Sequence, residues 1–277
     1  MAEYQPSKSA AEDLAVRQAA GHAGDFSFDE KEGKVHKLVS YENEVKFYER
    51  AQKDEFGILT ENHLIPKYYG KITKEYVNLH DGKSASERVK ETRDFFVLED
   101  LTQGFREPNM FDIKMGTQTW DRETPAKKVP LRIKQDGECT TGTYGFRFCG
   151  LRFSGCLPEN RFYGWDAMED DKMLECLAFA FKNFPSVEKR NEALKGFCPR
   201  IALVKQFLEE GGWHIVCASF LIVYDSVAVE EGGHPPVIYL IDFAHALETS
   251  KEERDEGFIK GCSELMRFFE TLSEIRE

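Results

Sequence analysis

The hydrophobic period changes along this chain, and that change restricts the folds open to it. Apolar residues spaced by two mark strands, and apolar residues spaced by three or four mark helices. Up to Asp100 the period of two dominates. Phe26 and Phe28 alternate with polar neighbours, Val35 to Val39 repeats the pattern, and the turn-rich DEKEGK between them predicts a hairpin. Tyr41, Val45, Tyr48 and Ala51 then follow at intervals of four, three and three, a helix with Ser40 as its expected N-cap. Tyr76 to Leu79 and the apolar FFVLED (Phe95 to Asp100) predict two further strands joined by an exposed loop, DGKSASERVKETR.

Past a connector, LTQGFREPNM, the periods mix. FDIKMG predicts a short strand. DRETPAKKVPLRIK predicts a basic helical stretch that Pro130 must kink or split, because proline cannot donate to the helical ladder. Tyr144 to Phe153 alternates again. Asp166 to Phe184 and Val187 to Glu210 predict long helices, Trp213 to Tyr224 and Val237 to Phe243 apolar strands, and Phe258 to Leu272 a closing amphipathic helix. The expectation is an α+β fold in two lobes. A flexible lead-in over 1–25 precedes a small β-rich N-lobe over 26–104 and a larger mixed C-lobe over 105–277.

Composition removes several classes of function. With 41% hydrophobic and 31% charged residues among 277, the chain has the make-up of a soluble globular protein. Its 37 basic and 49 acidic residues give a net charge of -12, which argues against nucleic acid or an anionic membrane as partner. An anionic ligand must then be met by a local basic patch. The 7 Cys form no CxxC pair and leave an odd thiol, so neither a disulfide framework nor a structural zinc site is expected. The longest uncharged run, Gly211 to Tyr224, is shorter than the roughly 20 residues that span a bilayer. The first 25 residues lack the basic and apolar regions of a signal peptide. The cysteine usage leads us to expect a reducing, intracellular compartment; the cytoplasm, with the nucleus as a second location, and a monomeric state are the accompanying expectations.

Phosphoryl transfer asks a protein for a nucleotide cradle, a carboxylate-held metal and cations near the γ-phosphate. Lys and Asp at strand positions are therefore informative: Lys37 in VHKLV, Asp112 and Lys114 in PNMFDIKMG, and Asp242 in YLIDFAHA. Taken singly, each is equally a solvated strand-edge charge, a surface pair or a strand-end cap. Their spacing adds information. Pro108 to Gly116 reads PxxxDxKxG, and IDFAH at 241–245 follows an apolar strand. In that order, with ENEVKFYE, FFVLEDLTQGF, FCGLRF, RFYG, ASFLIVYD and DEGFIKG between and around them, these motifs resemble the inositol polyphosphate kinase family over roughly Phe26 to Phe269. LEDLTQGF, MGTQTWD and YGFRFCG are most similar to the hexakisphosphate kinases of that family.

The resemblance implies a two-lobed kinase-like fold, ATP and Mg²⁺ as cofactors, and an inositol polyphosphate as the small-molecule substrate. Inositol hexakisphosphate, converted to a diphosphoinositol product, is the first expectation. Lys37 is then expected at the α- and β-phosphates with Glu44 orienting it, and the backbone of Glu99 and Leu101 at the adenine edge. Asp242 is expected on the metal, with Ser219 nearby. Asp112 has two open roles, binding the ribose hydroxyls or accepting the proton of the attacking hydroxyl. Lys114 is expected between γ-phosphate and acceptor. For the acceptor, the resemblance points to Lys127, Lys128, Arg132 and Lys134 of the basic segment, to Arg161 in NRFYG and to His245. Arg122 to Lys134 carries five basic residues and one acid, a local excess of four positive charges. It also reads as a solvated amphipathic face, just as His245 reads as a buried structural histidine.

Two other functions compete: a kinase of a less phosphorylated inositol, such as a trisphosphate kinase or a multikinase, and a non-catalytic inositol phosphate scaffold. Retention of Lys37, Lys114 and Asp242 weighs against the scaffold. Protein kinases and P-loop enzymes are disfavoured because GxGxxG, HRD and GxxxxGK motifs are all missing from the sequence.

Overall fold

The structure, a computed structural model, describes residues 25–77, 90–155 and 167–275. The lead-in up to residue 24, Arg161 with its RFYG motif, the end of the strand expected over Tyr76 to Leu79, and residues 81–89 of the expected exposed loop lie outside the described residues.

The N-terminal hairpin forms as β1 (Phe26–Asp29) and β2 (Lys34–Leu38), in antiparallel register with Phe26 opposite Lys37. Helix α1 (Glu42–Gln52) follows. Its N-cap is Tyr41 rather than Ser40, and no side chain caps it. Acidic Glu42 and Glu44 in the first turn complement the helix dipole instead. A one-turn helix α2 (Gly57–Glu61), which the sequence period did not reveal, leads to β3 (Tyr68–Val77) and β4 (Lys90–Glu99). Both strands are longer than expected. Their outer halves are Lys-, Glu- and Thr-rich and mostly exposed, so they lack the apolar alternation that marks a half-buried strand. The antiparallel sheet has the order β1-β2-β4-β3.

The second four-stranded sheet has the order β6-β5-β8-β9. It comprises β5 (Pro108–Met115), β6 (Phe146–Arg152), β8 (Ser219–Asp225) and β9 (Val237–Ile241). The run Trp213 to Tyr224, expected as one β segment, breaks at Cys217, where φ is 64°. Its first part, β7 (Trp213–Val216), pairs with β10 (His245–Glu248) in a separate ribbon. Among the described residues the remaining α-helices are α3 (Val129–Gly137), α4 (Thr140–Tyr144), α5 (Asp170–Ala180), α6 (Val187–Glu209) and α7 (Glu256–Glu274). Pro130 does not split a helix. It occupies the first turn of α3, where its missing N–H has no intrahelical acceptor to lose.

Aromatic side chains dominate the core and hold the two sheets in one molecule. Phe47 of α1 stacks on Phe243, just beyond β9, at 4.0 Å between centroids and 12° between planes, and Tyr48 meets the same ring edge-on at 5.3 Å. Polar contacts reinforce this junction. Leu240 N–H donates to Leu64 O at 2.7 Å, and Arg200 Nη2 of α6 donates to His63 O at 2.6 Å. A close approach fixes the other side of the second sheet. Gly145, at φ +74°, has no room for a Cβ, which would lie 2.8 Å from Gly261 N of α7. Its carbonyl accepts from Gly116 N–H at 2.8 Å, which locks the turn after β5.

Where the chain passes between the sheets, Asp225 is a knot. Its buried carboxylate accepts from the backbone N–H groups of Arg106, Glu107, Val227 and His234 at 2.8 to 3.2 Å. Burial opposes its charge, but these four donors hold its pKa below the ordinary value. A depressed folded-state pKa contributes stability above the unfolded value, about 3.9, and loses it as pH falls through the folded one. Asp225→Asn is therefore expected to lower unfolding stability by about 2 kcal/mol at neutral pH. Urea unfolding from about pH 7 to about pH 3 should find the deficit constant until about pH 4 and closing below it.

Candidate active site

Three charged side chains from three elements meet where the two sheets face each other. Lys37 lies on β2, Glu44 one turn into α1, and Asp242 directly after β9. Lys37 Nζ donates to Glu44 Oε1 at 2.7 Å and to Asp242 Oδ1 at 2.6 Å. Burial disfavours the ammonium, but the two carboxylates outweigh it and push the Lys37 pKa above its ordinary value. Glu44, fully enclosed, is shifted upward by burial even though Lys37 and the Phe243 N–H bind it. Burial also opposes ionisation of Asp242, yet Lys37 and Lys114 hold it below the ordinary carboxylate range. Asp242 adopts φ 67°, the left-handed region that non-glycine residues reach at some cost in strain. Phe243, clamped by Phe47 and bonded to Glu44, holds that turn in place.

Strand β5 supplies a second row. Met110, Asp112 and Lys114 are spaced by two and share one face, about 6.8 Å apart at each step. All three line the same cavity as Lys37 and Asp242. A break in register between Asp112 and Ile113, where Cys149 on β6 is bulged out, then sets Lys114 opposite Arg147 on β6 and Ser219 on β8. Asp112 is 4% exposed. Burial first and the neighbouring Asp242 second raise its pKa to about 6, with Lys114 opposing. The Ser219 hydroxyl is near enough to ease that shift but out of hydrogen-bond geometry, so Asp112 Oδ1 and Ser219 Oγ are both buried without a partner. Burial lowers the basicity of Lys114, and the Cys217 and Cys149 thiols with Asp112 and Asp242 more than restore it.

The cavity has a volume of about 610 Å³ and runs from the strand end at Glu99 to His245. Glu99, Asp100, Leu101 and Thr102 form one end, with apolar walls from Phe26, Val35 and Leu98. The side chains here shape the backbone: Glu99 Oε2 accepts from His63 Nε2 at 2.7 Å and Lys67 N at 3.2 Å. Asp100 Oδ1 accepts from Thr102 N and Oγ1 at 2.9 and 2.6 Å. At the other end His245 lies beside the Tyr41 ring, 5.0 Å between centroids, and its Nδ1 bonds Asp121 Oδ2 at 2.8 Å.

The basic segment is placed less centrally. Lys127 and Lys128 precede α3, Arg132 and Lys134 lie on it, all four are exposed, and none lines the cavity. Lys134 pairs with Glu138 at 3.8 Å. Arg147 and Asp121 are two site residues that sequence reasoning missed, although both stand in motifs already noted, YGFRFCG and MGTQTWD. Arg147 adjoins Lys114 through cross-strand register, and Asp121 meets His245 across 124 residues; neither has a local signature.

Asp242, Asp112 and Ser219 together present hard oxygen donors, and two of their oxygens are buried and unsatisfied. That set suits a divalent cation of the Mg²⁺ type that arrives on phosphates and keeps part of its own shell. Among the described residues no three or more His, Cys, Asp or Glu side chains form a protein-only cage. The raised pKa of Asp112 makes the site costly to hold. A carboxyl whose folded pKa is raised destabilises the fold as pH climbs from its unfolded value, about 3.9, to its folded one. Asp112→Asn is expected to stabilise the protein by about 2 to 3 kcal/mol above pH 6, with no gain below about pH 4. Paired urea titrations of the two proteins check the sign and the window.

With this geometry in hand, similarity to known proteins is informative. The family model for inositol polyphosphate kinase matches residues 95–270. Inositol polyphosphate multikinase alpha of Arabidopsis thaliana is 25% identical over 285 residues, 92% of this chain and 94% of its own length. Inositol hexakisphosphate kinase 3 of Mus musculus is 24% identical over 65% of this chain and 51% of its own. Among solved structures, inositol phosphate multikinase Ipk2 of S. cerevisiae in complex with ADP and Mn²⁺ superposes with a TM-score of 0.67 at 22% identity, covering 87% of this chain and 99% of that one. The fold is the one shared by these kinases, and the chain belongs to the inositol polyphosphate kinase family.

Proposed function

We propose that the protein is an ATP-dependent kinase of the multikinase type, acting on an inositol with fewer than six phosphates. One observation carries the phosphoryl-transfer reading: Lys37, Asp112, Lys114 and Asp242 converge on a single cavity from β2, β5 and the end of β9. Adenine is assigned to the Glu99–Leu101 end. The order along β5 then assigns Asp112 to the ribose and inner phosphates and Lys114 to the γ-phosphate and the acceptor hydroxyl. Lys37 binds the inner phosphates, and Asp242 with Ser219 holds the divalent cation, which neutralises phosphate charge when bound. Lys114 does its work as charge develops on the transferred group, in a partly buried setting where that interaction is strong.

The choice of acceptor rests on two supports. The multikinase relative aligns nearly end to end, whereas the hexakisphosphate kinase aligns over half its own length. Among the described residues, the Lys and Arg side chains that line the cavity are Lys37 and Lys114, and Arg147 stands opposite Lys114 on the neighbouring strand, while Lys127, Lys128, Arg132 and Lys134 are exposed outside it. Exposed charges of that kind contribute roughly 0 to 1 kcal/mol each, which favours the smaller charge number over the hexakisphosphate first expected. Purified protein with Mg-ATP and a panel of inositols bearing three to six phosphates tests this, with products resolved by NMR. We expect kcat/KM for a trisphosphate or tetrakisphosphate to exceed that for hexakisphosphate by at least about tenfold. Lys114→Ala should lower kcat far more than it raises the ATP KM. Preference for hexakisphosphate would reverse the assignment of acceptor, and normal turnover in Lys114→Ala would remove Lys114 from the reaction.

A further inference from the structure

His245 lines the cavity, and one of its two ring nitrogens is already committed. The partner, Asp121, has a side chain only 2% exposed and is itself fully engaged. Its Oδ1 accepts from Glu123 N, Thr124 N and Thr124 Oγ1 at 2.8 to 2.9 Å, while its own N–H donates to Thr124 Oγ1 at 2.9 Å. Only Oδ2 faces His245, at 2.8 Å from Nδ1. The loop that carries Asp121 is also fixed at Thr119, whose N and Oγ1 bind the buried Asp136 of α3 at 2.7 and 2.8 Å. Asp121 is therefore held from behind and cannot swing away from the imidazole. Three donors on Oδ1 and one on Oδ2 outweigh the cost of burial and keep the carboxyl ionised, below its ordinary pKa.

We infer that Asp121 is a positioning residue for the acceptor: it fixes the ring of His245 with a proton on Nδ1 and presents Nε2 to the incoming inositol phosphate. An ionised carboxylate can only accept, so Nδ1 must donate to it. Nε2 makes no hydrogen bond among the described residues. The Tyr41 ring, 5.0 Å away, limits rotation from the N-lobe side. One buried carboxylate thus ties the start of β10 to the loop between β5 and α3. The kinetic consequence rests on the acceptor site proposed above; the hydrogen-bond assignment does not.

Asp121→Asn isolates the effect. Its amide oxygen will take the place of Oδ1 because three donors converge there, which leaves the NH₂ facing Nδ1. An NH₂ can only donate, so the ring proton moves to Nε2. Two-bond ¹H–¹⁵N correlation, recorded at a pH alkaline enough that the ring shows the shifts of a neutral imidazole, reads the tautomer directly; the signal is assigned by its loss in His245→Gln. We expect Nδ1–H in the native protein and Nε2–H in Asp121→Asn. In turnover assays Asp121→Asn should lower acceptor kcat/KM by at least about tenfold and leave the ATP KM within about twofold. In a His245→Gln background the same change should add little, because the two residues act as one unit. An Nε2–H tautomer in the native protein overturns the proposal, as does an equal loss of activity with and without His245. Should no inositol phosphate be phosphorylated at all, the functional reading fails while the NMR result still decides the role of Asp121.

Discussion

The ammonium of Lys37 is the group on which the site depends. Two carboxylates, Glu44 and Asp242, come from different elements and would repel each other at this depth without the cation between them. Loss of the ammonium would leave Glu44, whose side chain is 4% exposed, as an uncompensated buried charge, while Asp242 keeps some contact with solvent. Here the cation also joins β2 and α1 to the end of β9, so the electrostatic link and the junction between the sheets coincide. The Phe47–Phe243 stack is its apolar counterpart, one residue along from Asp242.

That arrangement explains why the strain gathers where it does. Among the described residues four non-glycine residues have positive φ, and two of them, Cys217 and Asp242, line the cavity. Each follows a strand directly, β7 and β9, and each turns the chain so that a side chain or carbonyl faces the opening. Asp112 adds an electrostatic load, a carboxyl buried beside a second carboxylate with one oxygen unpaired. Strain and unsatisfied polar atoms in one place are the mark of a site shaped for a ligand rather than for stability. On the proposed function a polyphosphate with its cation would supply what is missing: anionic oxygens for Lys37 and Lys114, and positive charge for Asp112 and Asp242.

Local pattern made part of this readable from the chain. The hairpin of β1 and β2, the apolar cores of β4, β5 and β9, and helix α7 all carry a strong period of two or of three to four, and Lys37, Asp112, Lys114 and Asp242 stand at fixed places in them. Features set by long-range contact were not readable. The break at Cys217 depends on β7 finding β10, a pairing invisible within an uninterrupted apolar run. Strand β3 is an edge strand with polar outer residues, and α2 is too short to display a period. Pro130 looked like a helix breaker because the start of α3 could not be located, and at a helix start proline is well suited. The acceptor side suffered most: local charge density drew attention to Lys127 and Lys128, whereas register brings Arg147 beside Lys114 and tertiary contact brings Asp121 to His245.

The account stands or falls on what happens to Lys37 when a nucleotide enters. On the proposed function Lys37 would exchange a carboxylate partner for phosphate oxygens, and Asp242 would become available to hold a divalent cation. A crystal structure with a non-hydrolysable ATP analogue and Mn²⁺ tests this directly, since anomalous scattering locates the metal. The account predicts adenine at Glu99–Leu101, Lys37 Nζ within hydrogen-bond distance of phosphate oxygens, roughly 2.7 to 3.2 Å, and Mn²⁺ bound by an Asp242 oxygen. A nucleotide bound outside this cavity, or bound within it while Lys37 still bridges Glu44 and Asp242 and the metal contacts neither Asp242 nor Asp112, would contradict it.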